Sequence, residues 1–421
     1  MRLQAIDWTI VGVYLAIALA VGVAMTRRAS ASAGEFFVSS RSMPWWLLGT
    51  SMVATTFSTD TPNLVTDIVR SGGVAGNWVW WSFLLTGMLT TFVYARLWRR
   101  SGVTTDVEFY ELRYSGRSAR FLRGFRAIYL GAFFNIMIMA SVTLATIKIG
   151  GVLLGLKPLP IVVVAASITV VYSMLGGLTG VLVTDFVLFI VAMTGSVLAA
   201  VYALHRPEVG GLAALLHHPE VARRLSFLPD FSDRSTALAI FVVPLAVQWW
   251  SVWYPGAEPG GGGYIAQRML AAKSEAHAQG ATLFFNVAHY ALRPWPWILV
   301  ALASIVVFPD LASLRAAFPH VPADVVQNDL AYPAMLTFLP PGVMGLVVAS
   351  LAAAYMSTIS THLNWGASYL VNDFYARFLR PDATDRQKVR VGRWSTVALM
   401  AAAGAGALAL THALQAFQIL L

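Results

Sequence analysis

Apolar residues in this chain gather into runs long enough to cross about 30 Å of hydrocarbon, which takes roughly 20 residues in a helix. Ten such runs are expected, at 8–26, 45–69, 77–98, 124–148, 160–176, 182–204, 236–263, 280–307, 341–363 and 393–416. The fifth is short, and the second and seventh are interrupted. The first run, Trp8 to Met25, has its basic pair Arg27 and Arg28 on the far side, and no small-residue cleavage site follows. It is therefore expected to be a retained span with the amino terminus outside. On that topology most of the 29 lysines and arginines fall in inside segments, densest between Arg96 and Arg126, as the positive-inside rule requires. Two longer outside segments, 205–235 and 309–340, look like caps over an outer vestibule.

The interruptions carry the chemistry. From Ser51 the second run reads SMVATTFSTDTPNLVTD, a series of hydroxyl residues around Asp60 that Pro62 closes. Proline lacks the amide donor and crowds the preceding turn, so the helix is expected to open near Phe57 to Thr61. An acid at that depth is costly and marks function by default. The seventh run breaks at PGAEPGGGG, Pro255 to Gly263, with Glu258 inside the break. No phosphate-loop or dinucleotide fingerprint accompanies these glycines. Two broken spans five apart are the pattern of a transporter built from inverted repeats, in which opened backbone lines a binding site. The ninth run adds AAAYMSTISTHLN, in which Ala354, Ser357, Thr358 and Thr361 share one helical face. Two adjacent hydroxyls with carbonyls from an opened helix would suit a hard cation such as sodium. A packing face of small residues is the alternative.

Composition narrows this further. Charged residues make up 12% of 421, about half the usual soluble fraction, and the mean hydropathy is +0.67. Most of the surface is thus expected to face lipid. The net charge of +9 fits cytoplasmic loops and anionic headgroups better than nucleic acid. There is no cysteine, hence no disulfide, no thiolate nucleophile and no cysteine-held metal. Candidate solute contacts lie where the two breaks should face each other: Ser58, Asp60, Thr61, Gln248, Trp253 and Glu258, with Asn135 and Arg293 as additions. Arg293, mid-span before Pro294, is either a carboxylate clamp or a structural partner of Asp60 or Glu258. His289 is expected to be a hydrogen-bonded bundle residue.

At these residues the chain resembles the sodium:solute symporter family, which includes sodium/glucose, proline, pantothenate and sialic acid transporters. The segments that carry the likeness are FFVSSRSMPWW (36–46), SMVATTFS, GGLTGVLVTDF (176–186), YIAQRMLAAKS (264–274) and AAAYMSTISTHLN (352–364). The resemblance implies an all-α polytopic protein of the LeuT-type fold. Residues 1–44 would form a leading helix and loop, 45–204 one five-helix repeat, 205–235 an external loop, and 236–421 an inverted second repeat short of its last helix. It also implies a sodium site from the carbonyls of Ala54, Phe57 and Ala354 and the hydroxyls of Ser357 and Thr358. A second sodium would use Asp185, Ser357, Ser360 and Thr361; the alternative for Asp185 is an acid at a cytoplasmic helix start. The Tyr-Glu-Trp of sugar-transporting members is replaced by Val79-Trp80-Trp81. Sodium-driven uptake of a small polar solute by alternating access is the expected function, sugars narrowly ahead of amino acids and carboxylates. A transporter-fold sensor is the rival. Partners expected are the solute and membrane lipid, with no nucleic acid, no organic cofactor and no obligate protein partner.

Overall fold

The computed structural model describes residues 3–154, 157–250, 261–319 and 326–409. Within them the chain is helical, and the only extended pairing is a parallel bridge between Met43 and Ala272. Among the described residues, five helices are long and apolar enough to span a membrane, or six when the pair Val74–Trp81 and Leu84–Ser101, bent by 41°, counts as one. The shortfall from ten has identifiable causes. The second run is two half-helices, Trp45–Thr55 and Thr61–Gly72. The fifth and sixth runs are two helices that meet at a kink within Pro158–Leu204. At 1.5 Å per residue those 47 residues would measure roughly 70 Å if straight, about twice the hydrocarbon thickness, so the chain has to turn inside them. It turns at Gly177, whose φ of +53° and ψ of −161° belong to a region essentially reserved for glycine. A side chain there would also press on the Phe36 carbonyl, 3.0 Å from the position of its Cβ. The described part of the tenth run, 393–409, sits in Asp385–Ala409, whose first turns carry Arg386, Lys388, Arg390 and Arg393; 410–416 lie outside the described residues. In the seventh, Pro255 to Gly260 lie outside the described residues.

Several spans widen into π-helical turns, among them Val287–Leu292. Its cause is local: Pro294 cannot donate to the turn behind it. The ladder slips, and the Arg293 amide bonds the Ala288 carbonyl at 3.0 Å, five residues back. Such turns commonly mark functional positions.

The Val343–Ser368 helix is the axis of the bundle, with 22 of its 26 residues buried. The leading helix, Ala5–Ala29, docks on its start. There the Asp7 carboxylate accepts the Gly342 and Gly345 amides at 2.7 and 2.8 Å, donors that a helix N-terminus leaves unsatisfied. The two long segments cover one end of the core. Val209, Leu215 and Val221 bury from the first, and Leu314, Phe318 and Val326 from the second. Arg70 ties the second segment to the span before it, bonding Asn328 Oδ1 of the segment and the Ser304 and Phe308 carbonyls of the span end. At the opposite end Glu111 accepts from Arg123 at 2.8 Å and from Arg377 at 2.9 Å, while Arg123 also bonds Asp373 at 2.7 Å.

Candidate functional site

The break in the second span is where the sequence places it. Helix ends at Thr55 and resumes at Thr61 with Pro62 in its first turn, so the residues between turn their backbone away from the helix axis. The hydroxyl face of the Val343–Ser368 helix lies against this opening. Thr358 Oγ1 is 2.9 Å from the Thr55 carbonyl and 3.1 Å from the Ala354 carbonyl. Thr55 Oγ1 and Thr361 Oγ1 are 2.8 Å apart. Ala54, Phe57, Ala354, Ser357 and Thr358 are all at most 2% exposed. Their donors are neutral carbonyl and hydroxyl oxygens, a set that suits a hard monovalent cation.

Directly behind lies a buried ionic cluster. Asp185 accepts from Ser357 Oγ at 2.7 Å and from Ser51 Oγ. Arg268 Nη2 stands 3.7 Å from Asp185 Oδ2, with both side chains fully buried. Its Nη2 also donates to Thr361 Oγ1 at 2.6 Å, its Nε to Ser51 Oγ at 3.2 Å and its Nη1 to Gln267 Oε1 at 2.9 Å. Ser360 bonds the Ser357 carbonyl at 3.0 Å. Three of the four residues assigned to a second ion thus belong to one network with a guanidinium at its centre. Asp185 lies mid-way along Pro158–Leu204, eight residues past its turn, and not at a helix start. Ending the seventh span at Gly263 puts Arg268 among the inside loop charges. A separate helix, Gly263–Leu270, starts there and carries Arg268 into the core, and the apolar YIA and ML around Gln267 and Arg268 were the signal for it.

The solute candidates divide. Ser58 donates to Asp60 and lies 3.1 Å from Thr61 Oγ1, so these three form one polar corner at the break. Arg293 reaches the same break, its Nη1 donating to Thr56 Oγ1 at 3.0 Å. His289 Nδ1 is 3.0 Å from the same oxygen, as a hydrogen-bonded bundle residue should be. Asn135 is committed elsewhere: it donates to the His362 carbonyl at 2.7 Å and meets His362 Nδ1. Gln248 lies in a short 3-10 turn, Gln248–Trp250, whose Trp249 carbonyl accepts from Thr86. Trp253 and Glu258 lie outside the described residues. Trp80, which stands where sugar-transporting members have glutamate, stacks on Tyr290 at 5.9 Å.

The model of the sodium:solute symporter family matches residues 36–417. This chain belongs to that family. Its relatives include a sodium/glucose cotransporter of Vibrio parahaemolyticus, 28% identical over 94% of this chain and 73% of its own length. A sodium/mannose cotransporter of Bos taurus is 28% identical over 95% of this chain and 68% of its own. This chain spans only 61% of sodium/glucose cotransporter 1 of Ovis aries, at 23% identity. These relatives are transporters, not enzymes. The structure of a Na+-coupled sialic acid symporter superposes with a TM-score of 0.79 at 21% identity, covering 96% of this chain and 82% of that one. The fold is therefore the LeuT-type fold of sodium-coupled symporters.

Proposed function

We propose that this family member is a sodium-coupled symporter of a small sugar-type solute, working by alternating access. The observation that carries this is the meeting of the opened second span with the hydroxyls of the ninth, where Thr358 bridges the Thr55 and Ala354 carbonyls. Sodium, a co-substrate here, would take the carbonyls of Ala54, Phe57 and Ala354 with the hydroxyls of Ser357 and Thr358. By bridging the two elements it would favour the state that accepts solute, since an ion shifts only an equilibrium whose two states it binds unequally. Each sodium entering at about −100 mV gains about 2.3 kcal/mol. The second set, Asp185, Ser357, Ser360 and Thr361, would admit an ion only when Arg268 withdraws, because its guanidinium already bonds Thr361.

In this reading residues 45–204 and 236–421 act as the two inverted halves behind a leading helix. The protein sits in the cytoplasmic membrane with its amino terminus outside, an orientation that the placement of the arginines supports. Solute lies near Ser58, Asp60, Thr61 and Arg293, with Gln248, Trp253 and Glu258 as further candidate contacts and Asn135 holding the bundle behind. The relatives named for glucose and mannose transport support the sugar-type assignment.

Uptake into proteoliposomes under an inward sodium gradient tests this. Uptake of one solute class should need sodium and fall about tenfold or more in Ser357→Ala/Thr358→Ala. Sodium-independent uptake that the double variant retains would remove the sodium site.

A further inference from the structure

Four arginines are buried among the described residues, and three of them have their charge or donors matched. Arg123 and Arg268 stand beside carboxylates. Arg70 lacks one, but all three of its nitrogens bond carbonyl or side-chain oxygens. Arg293 is the exception. It is 2% exposed, its Nε has no partner, and no carboxylate among the described residues pairs with it. Its one hydrogen bond of ordinary length runs from Nη1 to Thr56 Oγ1, while Nη2 stands 3.5 Å from His289 Nε2. The guanidinium otherwise lies over the Trp297 ring at 5.1 Å.

Neither group bonded to the guanidinium is an anion, and Asp60 acts on it only at a distance, without an ion pair. Thr56 Oγ1 is 2.9 Å from the Val53 carbonyl, so its proton is spent there and it accepts from both Arg293 and His289. The imidazole then donates from Nδ1 and keeps Nε2 as an acceptor toward the arginine, which makes it neutral. A buried cation left in this condition is expensive, and an unsatisfied buried donor calls for an explanation such as an absent ligand. The position gives that explanation. Arg293 touches the opened second span one residue before Phe57, beside the half-buried Ser58–Asp60–Thr61 corner, with Trp80 and Tyr290 stacked nearby.

We infer that the solute carries a carboxylate, as in a sugar acid, and that Arg293 is its clamp. This deepens the symport reading and rests on it. The planar fork offers two parallel N–H donors to a carboxylate; the unsatisfied Nε, with Nη2, held only by its 3.5 Å contact to His289, is the pair it would use. Hydroxyls of the same solute would meet Ser58, Asp60 and Thr61. Asp60 also disfavours a carboxylate at its own end of the site, which orients the acid toward Arg293.

The test compares a hexuronate and an aldonate with glucose and mannose, in wild-type proteoliposomes under an inward sodium gradient. Wild type should take up the acids about tenfold or more faster than the neutral sugars. Arg293→Gln should abolish acid uptake, and Arg293→Lys should keep part of it with a raised KM. In detergent, the acids and not the neutral sugars should raise the thermal midpoint of wild type when sodium is present, a readout that needs no variant. Equal sodium-driven uptake of neutral sugars by wild type and Arg293→Gln would overturn the inference and leave symport standing. Restoration of Arg293→Gln by Asp60→Asn would overturn it too, since the arginine would then be only a counter-charge. No sodium-driven uptake of either class would overturn the symport reading itself.

Discussion

Arg268 and Asp185 form the most consequential pair of side chains in the bundle. Both are fully buried at 3.7 Å, and neither has another oppositely charged partner within ion-pair distance among the described residues. Deleting one member of such a pair strands the other charge and typically costs about 3–5 kcal/mol. Arg268→Gln should therefore destabilise the protein by about that amount, while Arg268→Gln/Asp185→Asn recovers much of it, because two neutral amides need no counter-charge. Thermal unfolding in detergent, at fixed sodium, measures both. This residue also shows the limit of reading from sequence. An arginine at the edge of an apolar run looks like a loop charge, and only the separate helix Gly263–Leu270 beyond the break turns it inward. The meeting of opened backbone and hydroxyl face was easier to see, since the break follows from Pro62 and the face from helical spacing, while the assignment of sodium to particular residues came only from the family resemblance. The use made of Asn135 depends on His362, 227 residues away, which no local pattern encodes.

At the scale of elements, lipid makes apolar runs legible and breaks illegible in detail. The second span opens within the expected residues because proline chemistry is local. The joining of the fifth and sixth runs through Gly177 is less visible, since glycine in GGLTG permits a turn without demanding one. Gly177→Ala should cost about 1–3 kcal/mol from backbone strain, beyond the contact with the Phe36 carbonyl 3.0 Å away. Gly180→Ala, whose Cβ would meet only the Met25 side chain at 3.7 Å, is the control and should unfold near wild type. The π turn before Arg293 follows from Pro294, yet that Arg293 then points at Thr56 depends on how two distant spans pack.

Across the whole molecule, one carboxylate ties early and late segments together. Glu111 bonds Arg377, 266 residues away, and Arg123. The Arg377 hydrogen bonds, with the Arg123 guanidinium beside them, hold its carboxyl down at about 2, well below the usual carboxylate range. A lowered folded-state value means that the unfolded chain takes up the proton first. The contribution of Glu111 is thus complete above the ordinary carboxylate range and fades as pH falls toward about 2. Wild type should show no loss from this group between about pH 5 and 8. Glu111→Gln should be less stable than wild type throughout that interval and converge with it in strong acid, as thermal midpoints across a pH series would show.

The Asp7 carboxylate, seated on the Gly342 and Gly345 amides, has a mechanical consequence. Gly345 faces the Asp7 backbone so closely that even one added carbon would come within 2.5 Å of its Cα, so the joint has almost no play. The helix bearing Ser357 and Thr358 cannot tilt at that end without carrying the leading helix along. A spin or fluorescent label on the exposed flank of Ala5–Ala29, at Val13 or Ile17, would act as a pointer on a dial, reporting on the orientation of a helix that is itself too deeply packed to label.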